Sequence, residues 1–442
     1  MKLNRTGYVY VNQRLAGLLQ EWQANVRQSY VFSYHQDYLD FNGPPIGVNF
    51  PLTPVPYNFD VFPPFFANLV SEGWVRRYQA QKAGLDRDDA FGLLLANGAE
   101  LIGAVSVLND ELVAQLPLSG RSFLPVSLSG VGLPADLSRF RIAFRRDEFN
   151  DVAMASFGRA SISGVQPKMF LTPDLQKPLT LQSCSGAGPY IVKPSPRDLP
   201  ELAENEYMMM QLCKAAGFTV AEHYLLPFAC GELAYVTRRF DLPNVPGGQL
   251  PLVEDLASCL NVAPGRKDDE RLSYAMALRQ AYQLCGQKAT ILQQGFRQVL
   301  MAYLIGNNDL HLKNFALQRD AVGTGVIMQG FSNIYDMVSV APYRAYDGFA
   351  LSLWLTDLEQ QDVFSSSYRQ YGYYTQHDFL LFGEALGLNA KAVQVTIDKL
   401  LAAVEKHYQS VIGRCIGSAY LKQALIDRIG ERLAAVRRPI LH

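Results

Sequence analysis

The segment GNNDLHLKNF, residues 306–315, has the residue types and the spacing best suited to chemistry in this chain. Within it, four residues separate Asp309 from Asn314. In phosphoryl transfer, an aspartate accepts the proton of the attacking hydroxyl group, and an amide oxygen five positions later helps to hold magnesium. The spacing therefore indicates phosphoryl transfer, but on its own it fits a polar turn that caps a helix better.

Asp336 is a second candidate, since it lies in the apolar segment IYDMVS. A carboxylate among apolar side chains is costly to bury without a partner. A bound metal ion would remove this cost, and so would a structural salt bridge or a turn cap. The sequence leaves these interpretations open.

A lysine and a glutamate form the third candidate. Lys193 ends the β-rich run PYIVKPS, and a helix is predicted over residues 198–216 with Gly217 as its stop. On this helix, Glu206 shares the apolar face of Leu202, Met209, Cys213 and Ala216. A carboxylate on that face needs a buried partner, which Lys193 can supply. The pair would either orient nucleotide phosphates or form a structural salt bridge.

The segment SISGVQPKMFL, residues 161–171, has the composition of a loop that covers phosphate groups. Ser161, Ser163 and Gly164 offer hydroxyl and backbone N–H donors, and Lys168 adds positive charge. The segment is not a Walker A sequence. On its own it fits an ordinary Ser-Gly turn better.

The elements that must position these residues are mainly strands in the first part of the chain and mainly helices in the second part. A hairpin with an Asn-Gln turn is predicted over residues 8–19, and helices are predicted over FFANLVSEG, stopped by Gly73, and over residues 86–95. Strands and one helix alternate from residue 161 to residue 241, and helical patterns dominate from residue 252 onward. One of these helices is predicted to end at Gly306 and to deliver the Asp309 loop.

The composition disfavours several classes of protein. The 442 residues are 49% hydrophobic with a formal net charge of −1, so sizeable cores can form and no global charge attracts nucleic acid or anionic lipid. The cysteines and histidines lack the spacing of a zinc site or a disulfide framework. A GxGxxA match at Gly130, Gly132 and Ala135 is too weak to indicate a dinucleotide site, because no β-rich run precedes it.

The chain is also predicted to be cytoplasmic. Nowhere do 18 apolar residues run together, as a membrane-spanning helix requires. The N-terminus lacks the unbroken apolar core of a signal peptide. We therefore expect no membrane contact.

Several segments together resemble one family. The chain resembles HipA-type serine/threonine kinases, which are the toxins of bacterial toxin–antitoxin systems. The segments that carry the resemblance occur in the order expected of that family: SISGVQPK, YIVKP, ENEYMMMQL, TRRFD, Glu254-Asp255, GNNDLHLKNF and YDMVS. Their N-terminal subdomain resembles VYVNQRLAG, FFANLVSEG and ELIGA. The resemblance covers nearly the whole chain, and residues 309–314 are its most specific part.

The resemblance implies ATP and Mg²⁺ as cofactors and assigns residues to them. It implies that Asp309 is the catalytic base and that Asn314 and Asp336 are the metal ligands. It also implies that Lys193 contacts the ATP phosphates, supported by Glu206.

Further positions follow from the same resemblance. His311 and Lys313 match residues of the family's catalytic loop. His311 would either orient the loop as a structural residue or take part in the chemistry, and the sequence favours neither role over the other. Ser163 and Gly164 would cover the nucleotide. The backbone of residues 236–239, which includes Val236, Arg238 and Arg239, would line the adenine pocket.

Autophosphorylation of the serine-containing loop switches off kinases of this family. Ser161 and Ser163 both match the position, and the sequence does not decide between them. A phosphoserine would add negative charge beside a site that receives ATP phosphates. Pro167, Leu242 and Ser258 depart from the residues typical of the family, which affects expectations for the nucleotide pocket and the loop rather than for the chemistry.

The expected fold class is α+β: a protein-kinase-like two-lobe fold with a β-containing N-terminal lobe and an all-α C-terminal lobe. We expect an N-terminal subdomain over residues 1–107, a kinase N-terminal lobe over 108–241 and a helical C-terminal lobe over 242–442. ATP and magnesium would bind between the lobes. The N-terminal subdomain would serve partner contacts.

The expected function is that of a serine/threonine protein kinase that inhibits growth as a toxin. The resemblance implies an aminoacyl-tRNA synthetase as the substrate class and a HipB-like DNA-binding antitoxin as the partner, with DNA contacted only through that antitoxin. One alternative is a pseudokinase that binds nucleotide or partner without phosphate transfer. Another is a metal-dependent hydrolase that uses Asp309, His311 and Asp336, which the lack of a further spaced ligand disfavours.

Overall fold

The structure, a computed structural model, has sheets in its first half and mainly helices in its second. It describes residues 2–24, 27–116, 133–158, 160–162, 164, 166–243, 248–346 and 348–438. The GxGxxA match at Gly130 and Gly132 and the candidate Ser163 lie outside these described residues.

Two compact units share the chain. Unit 1 comprises Met1–Pro194, Tyr224–Pro264 and Leu317–Gln329. Unit 2 comprises Ser195–His223, Gly265–Ala316 and Gly330–His442. The three-part division expected from the sequence stays a prediction beside them.

The strands and helices have the following bounds. The strands are β1 (Lys2–Val11), β2 (Arg14–Ala24), β3 (Arg27–Tyr34), β4 (Tyr57–Phe59), β5 (Val105–Leu108), β6 (Arg141–Ile142), β7 (Met169–Pro173), β8 (Thr180–Ser183), β9 (Tyr190–Pro194), β10 (His223–Pro227), β11 (Leu233–Arg238), β12 (Leu252–Asp255), β13 (Ala316–Arg319) and β14 (Gly330–Phe331). The α-helices are α1 (Gln36–Asp40), α2 (Pro64–Leu69), α3 (Gly73–Ala83), α4 (Ala90–Asn97), α5 (Asp110–Ala114), α6 (Phe149–Ser156), α7 (Leu202–Ala215), α8 (Leu256–Cys259), α9 (Tyr274–Leu284), α10 (Ala289–Ile305), α11 (Ser366–Tyr371), α12 (Gln376–Ala385), α13 (Ala390–Arg414) and α14 (Ala419–Val436). Among the helices of the described ranges, none combines the length and the apolar character that crossing a membrane requires.

The predicted N-terminal hairpin is confirmed. β1 and β2 pair antiparallel, and Val11 faces Arg14 across a turn at Asn12 and Gln13. Asn12 has a φ of +52°, a left-handed conformation that asparagine tolerates better than most residues. The hairpin belongs to a five-stranded sheet in the order β4-β3-β2-β1-β5.

A second sheet of unit 1 carries the candidate nucleotide residues. Its order is β10-β11-β9-β7-β8-β6, and β9 pairs antiparallel with both β7 and β11. Alternate residues of β9, such as Tyr190 and Val192, are buried in the core on this sheet. This arrangement fixes Lys193 next to its register partner Tyr235 on β11.

The prediction that Gly73 stops a helix is wrong. Helix α2 ends at Leu69, and Val70 is already extended with a ψ of 142°. Gly73, with a φ of +50°, is instead the first residue of α3. The sequence signal was correct for a break but did not show that residues 70 and 71 leave the helix to become buried in unit 1.

Unit 2 is built on long helices. Helix α10 is buried along its last eight residues and ends at Gly306, as predicted. Helix α7 lies close to the predicted bounds, and Glu206 is buried on it, as the helical face predicts. Residues 242–442, which include parts of both units, also contain the short strands β12, β13 and β14 beside their helices.

The Glu254-Asp255 pair has a structural role within unit 1. Asp255 caps α8 by accepting a hydrogen bond from the backbone N–H of Ser258 at 2.8 Å. Buried Glu254 accepts hydrogen bonds from the backbone N–H of Val48 at 2.9 Å and from the Ser258 hydroxyl at 2.8 Å. Glu254 thus fastens an N-terminal segment to the start of α8.

The buried Glu254 carboxyl makes stability depend on pH. Burial raises its pKa from 4.5 to about 7, so folding favours the neutral form. The stabilisation is complete below the unfolded pKa and is lost as the pH rises through the folded one. We expect unit 1 to melt at a lower temperature at about pH 8.5 than at about pH 5.5.

The variant Glu254→Gln tests this expectation, since its amide oxygen can accept from Val48 and its amide nitrogen can donate to Ser258. Thermal unfolding followed by circular dichroism at both pH values should show a smaller pH dependence in the variant than in the wild type. The matched control is Glu232→Gln at an exposed position of the same unit. Equal pH dependence of wild type and Glu254→Gln would contradict the assignment.

Candidate functional site

The candidate catalytic loop begins where α10 ends. Gly306 has a φ of +71°, which is strained for residues with a side chain, and a Cβ there would lie 2.9 Å from Cγ of Arg428. The backbone N–H of Asn307 donates to the carbonyl of Ala302 at 2.8 Å and closes the helix. The loop therefore leaves a rigid, buried helix in a defined direction.

Asn307 joins the two segments that carry the candidate carboxylates. Its side chain is fully buried, its Oδ1 accepts from the backbone N–H of Asp309 at 2.9 Å, and its Nδ2 donates to the carbonyl of Asp336 at 3.5 Å. Sequence reasoning missed this residue. The available signal was its position: Asn307 is a polar residue directly after the glycine that ends the helix.

Asn314 closes the loop from its other end. Its Nδ2 donates to the carbonyl of Asp309 at 2.7 Å, and its own carbonyl accepts from Nε2 of Gln298 at 3.4 Å. Because the amide nitrogen is used within the loop, the amide oxygen is the side-chain atom suited to a cation. Asn314 lies in a short 3-10 turn over Leu312–Asn314.

Asp309 presents its carboxylate to solvent. Its side chain is 68% exposed, whereas the neighbouring His311 side chain is 7% exposed, and Nε2 of His311 lies 3.8 Å from Oδ1 of Asp309. The backbone of Asp309 is held by Asn307, Asn314 and the N–H of His311. The loop therefore fixes the position of the carboxylate without burying it.

Tyr335, the residue before Asp336, also contacts the candidate catalytic loop within unit 2. The Tyr335 hydroxyl donates to the carbonyl of Lys313 at 2.8 Å, which ties the Asp336 segment to the loop a second time. Asp336 has a φ of +55°, an uncommon conformation for a residue with a side chain. Held backbone conformations of this kind are frequent at functional sites.

The helix that carries Glu206 is fastened to the segment after Asp336. Buried Asn205 donates from Nδ2 to the carbonyl of Ser339 at 2.8 Å and accepts from the Ser339 N–H at 3.1 Å. Asn205 is a second residue that sequence reasoning missed. Unit 2 thus connects the loop, the Asp336 segment and α7 through buried asparagine side chains.

In unit 1, Lys193 is buried at the end of β9. Its Nζ lies 5.5 Å from the ring centroid of Tyr235, a distance that allows a cation–π interaction. Val236 is buried on β11, and Arg238 is half-buried beside it. The register of β9 and β11 places Val236 opposite Val192, one residue from Lys193.

The Ser-Gly segment contains one glycine with a positive φ and one buried lysine. Gly164 has a φ of +107°, and a Cβ there would collide with Nζ of Lys168. Lys168 is itself buried. Ser161 is buried too, and its Oγ lies 2.7 Å from Oγ of Ser71.

Arg239 has a structural role that the sequence did not indicate. Its Nε donates to Oδ1 of Asp241 at 3.0 Å and its Nη2 to Oδ2 at 2.6 Å, and both side chains are 1% exposed. The guanidinium also donates to the carbonyls of Leu101 and Ala187. The side chain is therefore committed to the structure of unit 1, while the prediction for the backbone of residues 236–239 stays a prediction.

An α+β fold with a polar Asp/Asn loop anchored at the end of a buried helix is the arrangement expected of a kinase-like protein. Two family models match the chain: the HipA-like C-terminal domain over residues 160–408 and the HipA N-terminal domain over residues 7–108. The chain belongs to the HipA-type family of serine/threonine kinase toxins. The family, the α+β fold class and the enzyme class predicted from the sequence are confirmed.

Relatives and a solved structure agree with this family. A Haemophilus influenzae protein named "Putative kinase" is 33% identical over 313 residues, which cover 66% of this chain and 88% of the relative. The serine/threonine-protein kinase toxin HipA of Shewanella oneidensis is 24% identical over 305 residues, or 64% of each chain. A Shewanella oneidensis structure of HipA, HipB and operator DNA matches over 97% of both chains with a TM-score of 0.68 and 20% identity, which shows a shared fold.

Proposed function

We propose that this chain transfers the γ-phosphoryl group of ATP to a serine or threonine hydroxyl of a protein and thereby inhibits growth as a toxin. The proposal rests above all on the buried Asn307 side chain, which bonds to the backbone of both Asp309 and Asp336. Phosphoryl transfer depends mainly on the positioning of charged groups, and this network supplies positioning.

Asp309 would act as the catalytic base. Its exposed carboxylate can reach a hydroxyl on another protein, and three backbone hydrogen bonds keep the residue in place. His311, buried beside it, would orient the loop. Lys313 would support the loop through its carbonyl, which accepts from Tyr335.

The residues around Asn314 and Asp336 fit a magnesium ion. An amide oxygen and a carboxylate are ligands that Mg²⁺ accepts, and it usually completes its shell with water and substrate phosphates. The use of Nδ2 of Asn314 inside the loop favours its oxygen as a ligand. Bound there, the ion would neutralise charge on the phosphate groups.

Residues of unit 1 would bind the nucleotide. Buried Lys193 would contact the phosphates. Gly164, whose backbone accepts no side chain beside Lys168, would let the loop approach a phosphate closely. The backbone of residues 236–239 would line the adenine pocket.

Incubation of the purified chain with labelled ATP and magnesium tests the proposal. We expect label on the protein itself or on an added protein substrate. Tight ATP binding without any label would instead favour a pseudokinase. Hydrolysis of a phosphoester without ATP would favour a metal-dependent hydrolase.

We propose that the loop serine modified by autophosphorylation is Ser163. The hydroxyl of Ser161 is buried and hydrogen-bonded to the Ser71 hydroxyl, so its phosphorylation would require this contact to break first. Mass spectrometry of the labelled chain should find phosphate at Ser163, and the label should persist in Ser161→Ala and vanish in Ser163→Ala. Phosphate at Ser161 in the wild type would contradict this assignment.

An aminoacyl-tRNA synthetase is the proposed substrate class, and a HipB-like antitoxin is the proposed partner. The solved relative with this fold forms a complex with HipB and operator DNA. For this chain, DNA contact would occur through such an antitoxin, and the site of action would be the cytoplasm. Phosphoproteomics after induced expression of the wild type or of Asp309→Asn would name the substrate.

A further inference from the structure

The backbone just before the Ser-Gly loop is held by side chains of a sequence-distant part of unit 1. The loop anchor, defined here as residues 160–162, makes four hydrogen bonds to residues 71, 79 and 100. Oγ of Ser71 bonds to Oγ of Ser161 at 2.7 Å and accepts from the backbone N–H of Ile162 at 3.1 Å.

The other contacts fix the remaining backbone groups of the loop anchor. Nε2 of Gln79 donates to the carbonyl of Ala160 at 2.8 Å, and the N–H of Ser161 donates to the carbonyl of Glu100 at 3.2 Å. Ser71 and Gln79 are both buried. Buried backbone groups that lose such partners cost free energy, so these side chains hold the loop anchor in one conformation.

The Lys82 side chain holds the backbone just before the loop anchor in a similar way. Nζ of Lys82 donates to the carbonyls of Met154 and Ala155 at 3.0 Å each and to the carbonyl of Phe157. These carbonyls belong to the end of α6, where a positive charge is favourable. Helix α3 supplies Lys82 and Gln79, and Ser71 lies two residues before the helix begins. All three side chains thus contact the stretch of chain that leads into the Ser-Gly loop.

We propose that Ser71 and Gln79 are positioning residues for ATP binding. This inference rests on the proposed function, because it assigns the Ser-Gly loop to the ATP phosphates. Gly164 follows the loop anchor after a single residue, so an anchored backbone reduces the conformational entropy that the backbone of Gly164 loses when it binds a phosphate group. Without the anchor, that ordering cost falls on ATP binding and not on the chemical step.

The variant Ser71→Ala tests the inference. We expect the KM for ATP to rise about tenfold, as the loss of about 1.4 kcal/mol of binding energy implies, while kcat at saturating ATP changes less than about twofold. The affinity for adenosine, which has no phosphates, should stay the same. Hydrogen exchange of the Ile162 amide should become faster.

The matched control is Thr180→Val, another buried hydroxyl residue of unit 1, whose Oγ1 donates to the carbonyl of Pro178 at 3.1 Å and not to the loop anchor. Its KM for ATP should equal that of the wild type. Gln79→Leu is a second test variant, in which the new side chain has a similar volume, and it should raise the KM for ATP in the same way. It decides the question if Ser71→Ala does not fold. An unchanged KM for ATP in folded Gln79→Leu or Ser71→Ala, or an equal loss of adenosine affinity, would overturn the inference.

Equilibrium binding of ATP separates this inference from the proposed function. If the wild type binds ATP but transfers no phosphate, the proposed function fails, and the dissociation constants of the variants still decide the role of Ser71 and Gln79. If the wild type transfers phosphate and the variants bind ATP as tightly as the wild type, the inference alone fails.

Discussion

Asp309→Asn is expected to lower the rate of phosphate transfer about a thousandfold, since a positioned general base contributes about 10²- to 10⁴-fold. The substitution isolates the carboxylate, because Asn307, Asn314 and the N–H of His311 all bond to the backbone of residue 309. An asparagine keeps these bonds and cannot take up the proton of the hydroxyl. The affinity for ATP should change little.

The measurement is the initial rate of label transfer at saturating ATP, together with the melting temperature. Since the Asp309 side chain is 68% exposed, the melting temperature should stay the same. Asp362→Asn is the matched control in unit 2: the residue is exposed and has a φ of +58°, which asparagine tolerates. A variant Asp309→Asn with wild-type rates would remove Asp309 from the mechanism.

The local elements of the site could be predicted from the sequence because their signals lie within a few residues. The Asn-Gln turn, the helix end at Gly306 and the buried face of α7 depend on conformational preferences and on helical periodicity. The loop between Asp309 and Asn314 has the same local character. A resemblance to a family then joined these local signals into one expected function.

The asparagines that hold the site together could not be predicted in this way. Asn307 reaches a partner 29 residues away, and Asn205 reaches one 134 residues away. Nothing in the neighbouring sequence names such a partner. A buried amide becomes recognisable only when the tertiary structure shows which backbone groups it satisfies.

The error at Gly73 has a related cause. Local rules allowed α2 to continue, but the chain is extended at Val70, and Ser71 makes hydrogen bonds to residues 161 and 162 before α3 begins. Local rules do not show such contacts between sequence-distant residues. The same contact carries the proposed effect on ATP binding.

Motif residues also have two kinds of role in this chain. Glu254 and Arg239 belong to segments that resemble the family, and both are buried within unit 1 with structural partners. Their contribution to the fold is sufficient to explain why these residues occur in the motif segments. Asp309 differs from them because its carboxylate is exposed on a fixed backbone, which is the arrangement that the proposed base requires.

Asp241→Ala is expected to destabilise unit 1 by about 3 to 5 kcal/mol, because it leaves the buried Arg239 guanidinium without its carboxylate. Asp241 also accepts from the backbone N–H of Gly103 at 2.7 Å, so the variant leaves a second donor unsatisfied. For a unit of this size the melting temperature should fall by on the order of 10 °C. Calorimetry of the full chain measures this shift.

The double variant Arg239→Met/Asp241→Ala should recover part of the loss, because it removes the unpaired charge together with its partner. The matched control is Asp147→Ala, which breaks the exposed ion pair with Arg145 and should leave the melting temperature almost unchanged. Strictly additive effects of the two single substitutions would contradict a coupled buried pair. Recovery in the double variant would show that the Arg239 guanidinium destabilises unit 1 when its carboxylate partner is missing.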